Sequence, residues 1–114
     1  MIIIAFSNKT SQFIPNILCR KLKHVAPIVP HNNKLIMYQF VKRGCVEKIN
    51  LRVRDIKILG AHGWKFVYID GITPPHNFNP YTARTCVDLS KRAIGIRDWR
   101  IKTPQRLYKA LSHD

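Results

Sequence analysis

The chain reads as an α+β domain in which a small antiparallel sheet packs against a helix that begins at a cysteine. Three observations predict this. Ile2-Ile3-Ile4-Ala5-Phe6 is a short unbroken apolar run, the signature of a buried strand. Turn clusters at Pro30-His31-Asn32-Asn33 and Lys42-Arg43-Gly44 separate three strand-like segments at hairpin spacing. The capped helical signals lie late, at Thr85 to Gly95 and from Thr103-Pro104 onward. The resulting order is strand, helix, several strands, then two helices, which is an α+β layout. With 114 residues, 46% of them hydrophobic, one domain spanning 1–114 around one core is expected.

The elements follow in order. After the first strand, Ser7-Asn8-Lys9-Thr10-Ser11 is a polar loop. Phe13 to Leu22 carries Ile14, Ile17 and Leu18 at helical spacing, with Pro15 in a first turn, and predicts a short helix. His24 to Val29 is a strand, and Pro27 within it predicts an edge position or a bulge. Lys34 to Val41 returns as its hairpin partner, and Cys45 to Leu51 alternates as a third strand. Asp55 to Gly63 predicts a short helix stopped by glycine. Trp64 to Ile69 is a strand whose Trp64, Phe66 and Tyr68 share one face, expected to be core, with a base-stacking face as the lesser alternative. Asp70 to Tyr81, with three prolines and a glycine, is a loop. Cys86 to Ala93 is a helix stopped by Gly95, and Leu107, Tyr108 and Leu111 share one face of the last helix.

Charge is the strongest compositional signal. Twenty Lys and Arg against six Asp and Glu give a net charge of +14, which predicts attraction to polyanions: nucleic acid, anionic membrane surface or anionic wall polymers. The bases are spread along the chain without a long block, as they also are on a merely solvated surface. No apolar run approaches the ~18 residues of a membrane span, and the first strand lacks the basic flank of a signal peptide. Three cysteines without a CxxC pair argue against a disulfide framework, and five scattered histidines give no zinc-ligand spacing, so neither metal nor cofactor is implied. A zinc finger, an RNA-recognition signature and a clear helix-turn-helix are all missing.

Cys86 carries the chemistry. Thr85 with Asp88 three residues later reads as a capping box, making Thr85 the N-cap and Cys86 the first helical residue. A thiol there meets unpaired N–H groups and the positive end of the helix dipole, and both predict easier ionisation and fast alkylation below pH 7. A thiolate nucleophile needs a histidine, and His24, at the start of an apolar strand, is the candidate base. The bland counterparts are a small buried hydrophobe for Cys86 and a strand-end histidine for His24. Cys19, on a helix face, and Cys45, at a strand start, read as structural. His62 and His76 read as surface loop residues, with the mouth of a cleft as the alternative. Trp99, set between Arg97 and Arg100, either covers the core or presents a recognition surface.

A histidine opening an early strand, a hairpin, then a cysteine opening a late helix is an order that resembles the circularly permuted papain-like amidases of the NlpC type, a group that includes lecithin:retinol acyltransferase-like proteins. Lys23-His24-Val25-Ala26-Pro27-Ile28-Val29 is similar to the family's histidine strand, and Thr85-Cys86-Val87-Asp88-Leu89 to its cysteine helix. Thr103-Pro104-Gln105-Arg106-Leu107 is similar to the segment that often follows. The resemblance implies a permuted papain-like fold and a cysteine-dependent hydrolase or acyltransferase. The substrate would be an amide or ester: a bacterial envelope peptide, an isopeptide or a lipid acyl group. It implies a third polar residue that orients the imidazole, for which Gln39 is the nearest match and Tyr38, on the opposite face, the fallback. The family often has an acid or a second histidine there, and an amide supports an imidazolium less well. Pro27 is a second departure from the pattern. The chain also resembles small proteins of tailed bacteriophages, which implies a place in the cytoplasm or the virion. The alternatives are a catalytically silent copy of the fold, used as a virion or binding part, and a basic nucleic-acid-binding module.

Overall fold

Ile2–Ser7 forms the first strand, β1, and every residue of it is buried. The reason is position: β1 lies inside a five-stranded sheet whose two faces are both covered, so neither set of alternating side chains meets water. The structure, a computed structural model, describes residues 1–7 and 24–112. The helix expected at Phe13 to Leu22, and Cys19 within it, lie outside the described residues.

β2 (His24–His31), β3 (Lys34–Lys42), β4 (Cys45–Leu51) and β5 (Lys65–Ile69) complete the sheet in the order β4-β3-β2-β1-β5, with every neighbouring pair antiparallel. α1 (Val53–Ala61) connects β4 to β5. A single 3-10 turn at Pro80–Thr82 precedes α2 (Cys86–Ile94), and α3 (Pro104–Ser112) follows. The expected α+β class, with an antiparallel sheet against a cysteine-bearing helix, is what the structure has. No helix among the described residues is long and apolar enough to cross a membrane.

Turn chemistry sets the register. Asn32 and Asn33 both adopt positive φ (48° and 64°), as a two-residue hairpin connection requires, and they join β2 to β3. Gly44 (φ 80°) serves the β3–β4 turn. α1 starts two residues before the expected Asp55, because the Asp55 carboxylate caps it by accepting from the Arg52 N–H at 2.7 Å.

Alternation then builds two layers. Ile2, Ile4 and Phe6 face α2 and α3, packing with Val25, Val87, Ile94 and Leu107. Ile3 and Ala5 face α1, with Ala26, Ile28 and Met37 beside them and Ile56 and Leu59 of the helix against them. A third cluster, Val46, Ala83 and Leu89, extends the first layer under Tyr38, Phe40 and Phe78. Two sequence expectations are corrected here. Trp64 and Phe66 join the layer under α1, but Tyr68 stands on the edge strand in neither cluster and is exposed. β2 is the middle strand, so Pro27 is not at an edge. Pro27 is fully buried, pairs with Ile4 of β1, and stands where the β2–β3 ladder ends after Ile28↔Met37. A residue without an N–H fits a central strand where one neighbour has already parted from it.

One buried group in this packing is a liability. Ser90 of α2 is fully buried and its hydroxyl has no hydrogen-bond partner among the described residues. Ser90→Ala therefore removes a desolvated, unpaired hydroxyl and improves helix propensity, and is expected to stabilise the protein by about 1 kcal/mol. Thermal melting checks this as a rise of a few degrees; a lower midpoint would mean that the hydroxyl is bonded in solution.

Candidate active site

α2 is positioned by its caps. Thr85 Oγ1 accepts from the Asp88 N–H at 3.0 Å, as the capping reading requires. The reciprocal half is shifted by one residue: Asp88 Oδ2 accepts from the Arg84 N–H at 2.9 Å, and also from Arg92 Nε at 3.1 Å. Gly95, at φ 79°, closes the helix in the left-handed conformation that the sequence anticipated. Val87 and Ile94 then press α2 onto β1 and β2.

That docking brings the first turn of α2 to the start of β2. The Cys86 sulfur is faced by three backbone N–H groups, those of Val25, Val87 and Cys86 itself. The Val25 N–H belongs to the peptide that joins Val25 to His24, so the thiol sits against the backbone of the candidate base. Cys86 thus packs against the β2 backbone one residue from His24, 62 positions away in sequence.

The His24 ring itself turns to the α1 face of the sheet, where Met37 and Trp64 lie, whereas Cys86 stands on the α2 face with Val25 and Val87, so the backbones meet but the imidazole is not on the sulfur. His24 Nε2 donates to Gln39 Oε1 at 2.5 Å. A carbonyl oxygen only accepts, so Nε2 carries a proton in this bond, and in the neutral tautomer that leaves Nδ1 as the acceptor. Trp64 stands edge-on to the imidazole, with ring centres 6.1 Å apart. The Gln39 amide is oriented in turn by Nε2 donating to Met37 Sδ at 3.6 Å. Gln39 is able to reach because the β2–β3 ladder ends at Ile28↔Met37, leaving the two strand ends to interact through side chains. Tyr38, the fallback for the third residue, points to the opposite face and packs edge-on to Phe78 with ring centres 5.7 Å apart.

The expected lowering of the Cys86 pKa is overturned. Burial pushes the thiol up, and the three N–H groups offset only part of that. The helix-dipole argument assumed a solvated sulfur, whereas Cys86 is half-buried against the apolar layer that holds Phe6, Val25 and Leu107. The sign is clear: a folded state that holds the proton more tightly has less thiolate at neutral pH than a free cysteine. Iodoacetamide alkylation of Cys86 is therefore expected to be slow at pH 7 and still climbing above about 8.5, where a free thiol is half-ionised. A rate plateau below pH 7 would contradict this.

The remaining sequence candidates lie elsewhere. Cys45 is a half-buried free thiol at the start of β4, and His62 and His76 are exposed. No group of three His, Cys, Asp or Glu among the described residues is placed to hold a metal. Two features of the site escaped the sequence reading. Trp64 gave only its aromatic character at a strand start, with nothing to link it to His24. Glu47, the sole glutamate, is the cross-strand partner of Gln39, a register visible only once the β3–β4 hairpin is aligned. No protein-family model, no curated protein and no solved structure matches this chain.

Proposed function

We propose that this chain is a cysteine-dependent hydrolase or acyltransferase of permuted papain-like design, acting on an amide or ester through Cys86, His24 and Gln39. The observation that carries this reading is a conjunction at one strand end. The N–H of the peptide following His24 lies against the Cys86 sulfur, and Gln39 holds the His24 ring at the same strand end, on the α1 side of the sheet.

The chemistry follows from those atoms. In the proposed reaction the His24 imidazole swings round the end of β2 from the α1 face, and its Nδ1 takes the thiol proton as the sulfur attacks the carbonyl carbon, forming the S–C bond and moving the carbonyl electron pair onto oxygen. Because burial keeps the resting sulfur protonated, proton removal accompanies attack rather than preceding it. The Cys86 and Val87 N–H groups, which face the resting sulfur, would turn to the oxyanion as the sulfur bonds to carbon. The imidazolium then gives its proton to the departing amine or alcohol, and water or a second acceptor releases the acyl group from sulfur. Gln39 Oε1 holds the ring in its resting position on the α1 side.

Trapping tests this directly. p-Nitrophenyl acetate is expected to leave one acetyl group on Cys86, mapped by mass spectrometry, and none at that position after His24→Ala. Acetylation confined to surface lysines would defeat the reading. A second reading, a silent copy of the same design used as a binding or virion part, draws on the raised thiol pKa and on an amide where a carboxylate would better support the imidazolium.

A further inference from the structure

The segment after α2 holds a tryptophan in the open by an ordered framework. Lys91 Nζ donates to the carbonyls of Asp98 (2.6 Å) and Ile101 (3.0 Å), tying the segment to α2. Inside it, the Arg100 N–H and side chain both bond the Asp98 carboxylate, at 3.0 to 3.2 Å. Arg106 Nη1 reaches back to the Arg100 carbonyl at 3.2 Å. These bonds order the turn, yet Trp99 within it remains 72% exposed. An indole left in water by a well-ordered turn contributes little to folding.

The surroundings of that ring are hollow and cationic. A cleft of about 540 Å³ opens on one side of Trp99, toward Asn77, Phe78 and Arg97. A second, of about 500 Å³, opens on the other, toward Arg84, Thr85 and Lys102. Both run along the outer side of α2, away from the sheet. Arg92 and Arg100 are neutralised by Asp88 and Asp98. Arg84, Arg97 and Lys102 have no carboxylate partner among the described residues, and Lys102 Nζ lies 5.4 Å over the indole. A stacking platform with a groove on each side and unpaired cations along both grooves matches a chain of planar rings joined by phosphates. An exposed indole among cations also suits an anionic lipid surface, but a ring bordered by two clefts suits alternating bases and phosphates better than a flat headgroup plane.

We infer that Trp99, with Arg84, Arg97 and Lys102, forms a binding site for single-stranded nucleic acid on the outer side of α2. A base stacks on the indole and the phosphates on either side of it lie in the two clefts. The site uses neither Cys86 nor His24 and stands whether or not the hydrolase reading does.

The test is fluorescence anisotropy of a labelled oligo-dT 20-mer with the full chain across a salt series, read beside inorganic polyphosphate of equal charge as a competitor. Trp99→Ala is expected to weaken oligo-dT binding about tenfold, the scale of one lost base–aromatic stack, with the salt slope unchanged. Trp99→Phe is expected to restore most of the loss. Arg97→Ala with Lys102→Ala is expected to reduce the log–log salt slope by about 1.4, at about 0.7 per phosphate contact on a single strand. Binding of polyphosphate is expected to ignore Trp99→Ala. The inference is overturned if Trp99→Ala binds oligo-dT as the parent does, or if polyphosphate or phosphatidylglycerol vesicles displace the oligonucleotide at equal charge, since binding would then rest on net charge alone. Because Trp99 is exposed, its replacement leaves the core untouched, and an unchanged melting temperature verifies that.

Discussion

Cys86→Ala is expected to abolish turnover of an activated ester, lowering kcat by roughly 10³- to 10⁶-fold, the range seen when a nucleophile acting with its base is removed. His24→Ala is expected to cost about as much, and the double variant little more, because each residue is useless without the other. Gln39 is a positioning residue in this scheme. Gln39→Ala removes a hydrogen bond that holds the ring at this strand end, so a loss of roughly ten- to a hundredfold is expected. Gln39→Glu is the sharper variant. A carboxylate at Oε1 stabilises the imidazolium and shifts the alkaline-rising limb of the pH–rate profile, a change that a purely structural role would not produce. The measurement is steady-state hydrolysis of p-nitrophenyl acetate across pH, beside circular dichroism to verify folding. Parent-like rates for Cys86→Ala, or additive losses in the double variant, would leave the silent-copy reading standing.

What could be read from the chain beforehand depended on how local the cause was. β1 was legible because five apolar residues in a row have few other uses, and α2 because Thr85, Asp88 and Gly95 mark its ends chemically. The pairing of Gln39 with His24 followed from resemblance to a known pattern, and the side chains do meet. The ionisation of Cys86 was misjudged because the helix terminus is a local signal while burial is not: Phe6, Val25 and Leu107 come from three separate elements. Pro27 misled for a similar reason. Its missing N–H argues against a central strand unless the neighbour has parted there, and the parting of β3 from β2 is a property of the assembled sheet. Tyr68 shares its side of β5 with Trp64 and Phe66, and its exposure depends on where α1 stops covering the sheet.

Phe6→Ala is the substitution with the largest expected effect on stability. Phe6 is fully buried near the end of β1, opposite Val25 in register, and its ring meets Tyr108 of α3 edge-on with centres 5.1 Å apart. It therefore joins three elements: the sheet, α2 through Val87, and α3 through Leu107 and Tyr108. Truncation to alanine removes the buried ring and leaves a cavity, a loss of about 3–5 kcal/mol. Against a total of about 5–15 kcal/mol for a domain, that is a large share, and the thermal midpoint is expected to fall by roughly 10–25 °C. Phe6→Leu refills most of the space and is expected to cost about 1–2 kcal/mol. The same wall sets the burial that holds the Cys86 proton. In Phe6→Ala at a temperature where the protein is still folded, alkylation of Cys86 is therefore expected to accelerate at neutral pH, and in Phe6→Leu to stay near the parent rate. Melting followed by circular dichroism and alkylation followed by mass spectrometry test the two halves. A midpoint within a few degrees of the parent would mean that α3 and the ring of Tyr108 do not pack on β1 as described, and an unchanged alkylation rate would mean that the sulfur is kept protonated by something other than this apolar wall.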